Sequence, residues 1–291
     1  MSARFGTAGN SAIFTETVSK SSLKAPEWLH TLGLECYEYQ CGKGVHVGEQ
    51  TALALGREGK RWDIAMSLHA PYFINLANPD TDALNKTIGY ITGACRIASL
   101  IGATRVVVHP GGVMKRTRRE AMQIAKQSLK EVLAACDGQG YGQIALCPET
   151  MGKINQVGAL EEVLELCGLD ERLIPCIDFG HLYARSLGAD EGAERCDQIL
   201  TDLERALGPE RSSRFHSHFS HIEFTPNGGE KRHLTFSDGR FGPDFTPLAH
   251  AIASRNWHPT VICESAGTQA EDALEMQRIY RQITREEAAN T

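Results

Sequence analysis

Histidine or carboxylate side chains follow short apolar runs at six places in this chain. At the central place the run 143–146 leads into Cys147, Pro148 and Glu149, a setting typical of a metal-bridging glutamate. The other five runs end at residues of the same kind: His69, His109, Asp178 with His181, His218, and Glu264. One such residue is usually a hydrogen-bonded core or surface side chain, whereas six at the same end of successive elements predict one shared site.

A loop histidine completes the predicted ligand set, which contains His69, His109, Glu149, Asp178, His181, His218, His233 and Glu264. Imidazole and carboxylate groups together suit zinc, manganese or iron, and the absence of cysteine from the ligand set argues against a structural zinc site. These ligands are too many for one ion, so we predict two or three. Such a cluster holds a phosphate, lowers the pKa of a bound water to about 7 and stabilises both the attacking and the leaving oxygen, which is phosphoester hydrolysis chemistry.

Three histidines lie close together in the segment before the predicted loop. His216 and His218 alternate onto one face of a strand, so one is expected at the mouth of the site and the other lower. The sequence leaves open which of the two is the ligand. His221 has the opposite parity and is not expected to bind a metal directly.

Strands and helices alternate along the whole chain. The predicted strands are 3–7, 35–40, 64–68, 106–108, 143–146, 173–177, 214–223 and 260–263. The predicted helices are 21–32, 49–59, 81–100, 118–135, 160–167, 190–207, 246–256 and 269–288, and a long loop is predicted at 225–242. Strict alternation favours a parallel sheet, and eight units favour a single-domain (β/α)8 barrel over residues 1–291, whose site lies at the carboxyl ends of the strands. A doubly wound open sheet is the alternative.

Composition sets limits on location and partners. No apolar run approaches the roughly 18 residues of a membrane span, and the first residues lack the apolar core of a signal peptide, so no membrane association is expected. Nine scattered cysteines without a C-x-x-C pair are typical of buried thiols in a cytoplasmic protein. A net charge of −6 does not indicate nucleic acid binding, although the basic run 115–119 fits either phosphate contacts or a solvated helix start.

An ordered set of short motifs resembles the endonuclease IV family of apurinic/apyrimidinic-site nucleases, within the xylose isomerase-like barrels. The matching pieces are His69 to Tyr72 with Ile74 to Leu76, Val107 to Gly112, Pro148 to Thr150, Cys176 to His181, the strand of His218, Arg232 with His233, and Cys263 to Ser265. The resemblance runs through nearly the whole chain. It implies a monomeric zinc enzyme that cuts damaged double-stranded DNA on the 5′ side of an abasic site.

The resemblance also implies roles for individual residues. His69 and His109 would hold a first zinc, and Glu149 would bridge to a second that is completed by Asp178, His218 and Glu264. His181 and His233 would hold a third, and the two glutamates would be catalytic. Tyr72 and Phe73 match the segment that enters the DNA stack, although packing against the barrel rim would explain them equally well.

Two positions depart from the family pattern. The third metal usually takes an aspartate two residues before the loop histidine, where this chain has Lys231, and Glu230 is the available substitute. The loop after the second strand lacks the arginine that probes DNA, and Lys43 or His46 could serve instead.

Two other functions are compatible with the same residues. Glu149, Asp178, His218 and Glu264 alone would make the single-metal site of a sugar isomerase or epimerase. A non-catalytic barrel that binds nucleic acid or acts as a scaffold is the third hypothesis, and it predicts that Glu149→Gln leaves function untouched.

Overall fold

A ring of eight parallel strands forms the centre of the protein, which is described over residues 2–289 by a computed structural model. The ring consists of β1 (Arg4–Ala8), β2 (Cys36–Gln40), β3 (Ala65–His69), β4 (Arg105–Val108), β5 (Ala145–Pro148), β6 (Cys176–Asp178), β7 (His216–Phe219) and β10 (Thr260–Cys263). A separate antiparallel pair is formed by β8 (Ile222–Thr225) and β9 (Gly229–His233). Around the ring the order is β5-β4-β3-β2-β1-β10-β7-β6, and a parallel bridge between Glu149 and Cys176 joins its two ends. The predicted (β/α)8 barrel is therefore confirmed, and the open sheet is excluded.

Helices cover the outside of the ring. They are α1 (Ala12–Thr17), α2 (Ala25–Leu32), α3 (Glu49–Arg61), α4 (Thr81–Ile101), α5 (Arg118–Gly138), α6 (Leu160–Cys167), α7 (Phe179–Arg185), α8 (Ala193–Leu207), α9 (Pro209–Ser212), α10 (Thr246–Ser254) and α11 (Gln269–Ala289). The main apolar core lies between these helices and the outward faces of the strands. No helix within residues 2–289 is both long and apolar enough to cross a membrane.

Along each strand of the ring, successive side chains point alternately to the inner and the outer face. On β7 this places His216, the first residue of the strand, and His218, two residues nearer the carboxyl end, on the same face. Buried small residues fill much of the interior, including Val107, Cys147 and Ile262. All nine cysteines are buried free thiols, as predicted.

Several predicted element boundaries were wrong. The strand predicted at 214–223 is two strands, because the chain turns at Ser220 and His221 after β7. The loop predicted at 225–242 contains β9, which pairs antiparallel with β8 and carries His233. The short helices α1, α7 and α9 were not predicted, because they are too short to display an apolar periodicity.

Candidate metal centre

The carboxyl ends of six strands meet at one site, which opens into a cavity of about 360 Å³. Asp178 and His218 are fully buried at this site and do not line the cavity itself. His69 ends β3, Asp178 ends β6 and His218 lies near the end of β7. His109, Glu149 and Glu264 each follow the last residue of their strand by one position. Parallel strands direct their carboxyl ends to the same rim, so residues far apart in the sequence come together here.

The carboxylate of Glu149 lies at the middle of this cluster and is completely buried. Its Oε2 atom is 3.0 Å from Nε2 of His109 and 3.3 Å from Nε2 of His69, while Oε1 is 2.9 Å from Nδ1 of His218. Burial would raise the pKa of Glu149, but these imidazoles, His218 foremost, hold it well below its usual range. One carboxylate thus faces two sets of nitrogen ligands, which is the geometry of a bridging ligand.

A second group consists of Glu149, Asp178, His218 and Glu264, each with a ligand atom within 4.8 Å of the others. Oδ2 of Asp178 is buried and accepts no hydrogen bond. Nδ1 of His181 is 3.2 Å from it, but this nitrogen donates instead to the carbonyl oxygen of Thr150 at 2.9 Å. Burial raises the pKa of Asp178, and the neighbouring carboxylates Glu264 and Glu149 add to the rise. A buried acceptor with no donor, among other carboxylates, fits a divalent cation.

A third group combines His181, His233 and Glu230. Nε2 of His181 lies 3.5 Å from Oε2 of Glu230, which enters the cavity from β9. Lys231 does not enter it, because its Nζ atom pairs with Oε1 of Glu223 at 2.6 Å. Of these two neighbours, Glu230 therefore faces His181 and Lys231 does not.

Close backbone approach makes the third group possible. A Cβ atom added to Gly152 would lie 2.6 Å from Cβ of Glu230 and 3.0 Å from Cδ2 of His181. A larger residue at this position would push apart two of the three potential ligands.

Hydrogen bonds hold the cavity histidines in a fixed orientation. In four of them Nδ1 is held by an oxygen atom, which leaves Nε2 facing the cavity; the partners are Ala70 O for His69 at 2.7 Å, Tyr72 O for His109 at 3.2 Å, Thr150 O for His181 at 2.9 Å and Ser220 Oγ for His233 at 2.8 Å. This is the second-layer support typical of metal-binding histidines. Burial would lower the pKa of His69, but Glu149 outweighs it and raises the pKa to about 9, so cation binding here would displace a proton.

Two residues near the cluster were not predicted. Glu38 is fully buried on β2 below the cavity, where its carboxylate reaches both His216 and His218. The sequence offered one signal for Glu38: it is the only charged residue in the strand Cys36–Gln40. Lys153 lines the cavity with an exposed side chain and brings a cation to an acidic site.

The predicted DNA-contacting residues lie at the rim. Tyr72 lines the cavity and is 57% exposed, and Phe73 beside it is 42% exposed. Their rings contact each other edge to face, with centroids 5.6 Å apart. Lys43 is exposed on the loop after β2, and its carbonyl oxygen contacts the ring of His46 at 3.1 Å.

The basic run 115–119 divides into two parts. Nε of Arg118 donates to Oε1 of Glu162 at 2.8 Å, and its guanidinium also donates to the carbonyl oxygens of Ile154 and Gln156. Arg118 thus braces the loop that carries Lys153. Lys115 precedes the helix and is exposed. Any phosphate contact by this run would therefore come from exposed residues before the helix, such as Lys115, and not from Arg118.

Known proteins are similar to this chain in sequence. The chain is 32% identical over 279 residues to an uncharacterized protein of Methanocaldococcus jannaschii, covering 96% of this chain and 97% of that one. A probable endonuclease 4 of Nitratidesulfovibrio vulgaris is 28% identical over 196 residues, which are 65% of this chain and 67% of that protein.

Solved structures from two functional groups share the fold. Endonuclease IV from Thermus thermophilus superposes with a TM-score of 0.70 at 20% identity, covering 97% of this chain and 99% of that one. A D-tagatose 3-epimerase-like protein superposes with a TM-score of 0.72 at 18% identity, covering 98% and 99%. Residues 26–282 match the family model described as xylose isomerase-like TIM barrel, and the protein belongs to that family.

Proposed function

We propose that this protein is a metal-dependent endonuclease that hydrolyses the DNA phosphodiester 5′ to an abasic site. The observation that carries the proposal is the presence of donor groups on both sides of Glu149 and a further group beyond them. A one-metal enzyme does not need His69, His109 and the His181–Glu230–His233 group held in this orientation. The motifs shared with endonuclease IV and the 28% identity to a probable endonuclease 4 support the same conclusion.

Each of the three donor groups would hold one ion. His69 and His109 with Glu149 would hold one ion, Glu149 with Asp178, His218 and Glu264 a second, and His181 with Glu230 and His233 a third. When bound, ions at such a site generate a nucleophile from water near neutral pH and stabilise charge on a phosphodiester, and zinc suits these ligands.

Other side chains would bind and orient the DNA. Lys153 offers a positive charge to the phosphate at the cavity wall, and Tyr72 and Phe73 offer rings for stacking next to a displaced nucleotide. Glu264 is 14% exposed in its side chain and lies 3.5 Å from Nδ1 of His218, so it can accept a hydrogen bond from a water molecule at the cluster. We further propose a monomer in the cytoplasm, since free buried thiols are typical of a reducing compartment.

A nicking assay tests the proposal directly. A duplex with one tetrahydrofuran abasic analogue should give a single cut on its 5′ side with a 3′-hydroxyl, in zinc or manganese. Glu149→Gln should lose at least about a thousand-fold in rate, whereas Glu165→Gln, on the exposed face of α6 next to Lys126, should not. Absence of a nick from the metal-loaded protein would rule the proposal out.

A sugar isomerase or epimerase is the second candidate, because Glu149, Asp178, His218 and Glu264 form a complete four-ligand group by themselves. Metal analysis separates the two functions. One ion per chain favours the isomerase, and two or more favour the nuclease.

A further inference from the structure

A second cavity lies at the opposite end of the barrel, where the strands begin. Its volume is about 450 Å³, and its walls include Arg4 at the start of β1, Arg105 at the start of β4, and Arg214 just before β7. His258 and Thr260 line the side next to β10. The metal centre lies at the carboxyl ends of the same strands, and the buried side chains of Glu38 and His216 lie between it and this cavity, whose wall includes Ser67.

Positive charge in this cavity is poorly balanced. Arg105 is half-buried, and its guanidinium donates to the carbonyl oxygens of Arg214 at 2.8 Å and Phe215 at 3.5 Å and lies 3.5 Å from Nδ1 of His216. Within residues 2–289, neither Arg105 nor Arg4 forms an ion pair with a carboxylate. The acid nearest to Arg214 is Glu210, at 3.8 Å and with a side chain that is 90% exposed. Such a pair contributes little.

One carboxylate, Glu35, also lines the cavity. Its Oε2 accepts a hydrogen bond from Gln277 of α11 at 3.4 Å, so it already has a partner outside the cation cluster. Burial lowers the pKa of His258, and the nearby charges of Arg105 and Arg214 lower it further. The chain as a whole carries a net charge of −6, so this concentration of cations does not follow from composition.

The neighbouring cavity extends the same surface. It has a volume of about 590 Å³ and shares Arg4, Met66 and Thr104 with the first. Arg57 and Lys60 add two more cations, while Leu53 and Ile64 give it an apolar side. A ligand that combines an anionic group with a small apolar group would therefore be complementary to these two cavities.

We propose that the cavity at the amino ends of the strands is a binding site for a phosphate group, held by Arg4, Arg105 and Arg214. Guanidinium groups bind phosphate oxygens through paired, charge-assisted hydrogen bonds, and the hydroxyls of Thr104 and Thr260 are further donors on the wall. The site is separate from the metal centre and does not depend on the proposed nuclease activity. Its ligand is inorganic phosphate or a small phosphomonoester, which share this chemistry.

Calorimetric titration of the full chain with two probes, inorganic phosphate and phenyl phosphate, tests the site. The titrations are done in the Glu149→Gln variant to weaken phosphate binding at the metal centre. Saturable binding with a Kd below about 1 mM is expected, and a weakening of about ten-fold or more is expected in Arg4→Ala/Arg214→Ala. Tighter binding of phenyl phosphate would identify a phosphomonoester as the ligand class, and equal binding would identify free phosphate.

The matched control is Arg205→Ala, which removes a charge on the exposed side of α8, where Arg205 pairs with Asp202. It should bind both probes as the parent does. If Arg4→Ala/Arg214→Ala fails to fold, Arg214→Ala alone provides the comparison, because that side chain is 44% exposed. No saturable binding, or equal affinity in the cavity variants and in Arg205→Ala, would overturn the proposal.

Discussion

Nε2 of His218 lies 3.0 Å from Oε1 of Glu38, in the middle of the ring and out of contact with solvent. The other carboxylate oxygen of Glu38 contacts Nε2 of His216 at 2.8 Å and accepts a hydrogen bond from Ser67 at 2.9 Å. Burial would raise the pKa of Glu38, but the two imidazoles hold it well below its usual range. Within the described residues Nε2 of His218 makes no hydrogen bond of good geometry, so Glu38 is placed to hold the ring of His218 by electrostatic attraction, with Nδ1 facing the metal centre.

We predict that Glu38→Gln weakens metal binding by about ten- to a hundred-fold, because a neutral amide orients and polarises the imidazole of His218 less well. Competition with a chromogenic chelator measures the affinity, and circular dichroism checks the fold. Ser67→Ala is the control, since it removes one hydrogen bond to Glu38 and keeps the carboxylate. Unchanged metal retention in Glu38→Gln would show that the carboxylate only fills the interior.

The group of His181, Glu230 and His233 gives a second metal-binding prediction, in which Glu230 is the test position and its neighbour Lys231 is the control. Glu230→Gln should lower the metal content by about one ion per chain, because the amide is a poor ligand beside His181 and His233. Lys231→Ala should leave the content unchanged, because Lys231 pairs with Glu223 outside the cavity. Elemental analysis after gel filtration measures both. Equal metal content in the two variants would remove Glu230 from the site.

The exposed ring of Tyr72 gives a binding prediction. Tyr72→Ala should weaken binding of an abasic duplex by about 1–3 kcal/mol, the usual value of one stacking contact, whereas Tyr72→Phe should keep most of the affinity. Fluorescence anisotropy at constant salt, in the Glu149→Gln background, measures binding without cleavage. Full affinity in Tyr72→Ala would show that the ring only packs against the rim.

A pH-dependent contribution to stability is expected from Glu162. Burial would raise its pKa, but the hydrogen bond from Arg118 and those from the backbone of Gly158 and Ala159 lower it. A lowered folded-state pKa means that the stabilisation is complete above the unfolded pKa, near 4.5, and is lost as the pH falls through the folded value.

Glu162→Gln should therefore lower stability at pH 7 by about 1–3 kcal/mol, and the difference from wild type should shrink as the pH approaches 3. Chemical denaturation at several pH values measures it. Glu161→Gln, at the adjacent exposed position, is the control variant. A constant difference between wild type and Glu162→Gln across this range would contradict the prediction.

Much of the fold follows from local patterns. Val106 to Val108 is a continuous β-branched run, as expected for a strand buried on both faces. The strands β3 and β5 on either side of it were also predicted, with their ends misplaced by one or two residues. Residues at strand ends could be predicted to converge because parallel strands deliver them to one rim, and the structure brings His69, Glu149 and Asp178 together there.

Other features depend on tertiary contacts that a local pattern does not show. The strand β9 is held in place by β8 and by the approach of Glu230 to Gly152, so its loop-like sequence was misleading. The role of Glu38 depends on facing β7 across the ring, a distance of 178 residues along the chain from His216. Neither relationship is visible from spacing alone.

The bridge between Glu149 and Cys176 has a consequence for local opening. The ring closes between β5 and β6, and the residue that makes this contact is also the one that would link two ions. His109 lies on one side of the seam, and Asp178 and His218 lie on the other. Bound cations would therefore hold β5 and β6 together and stabilise the closed ring. Removing the cations with a chelator should speed amide hydrogen exchange first along 145–150 and 174–178.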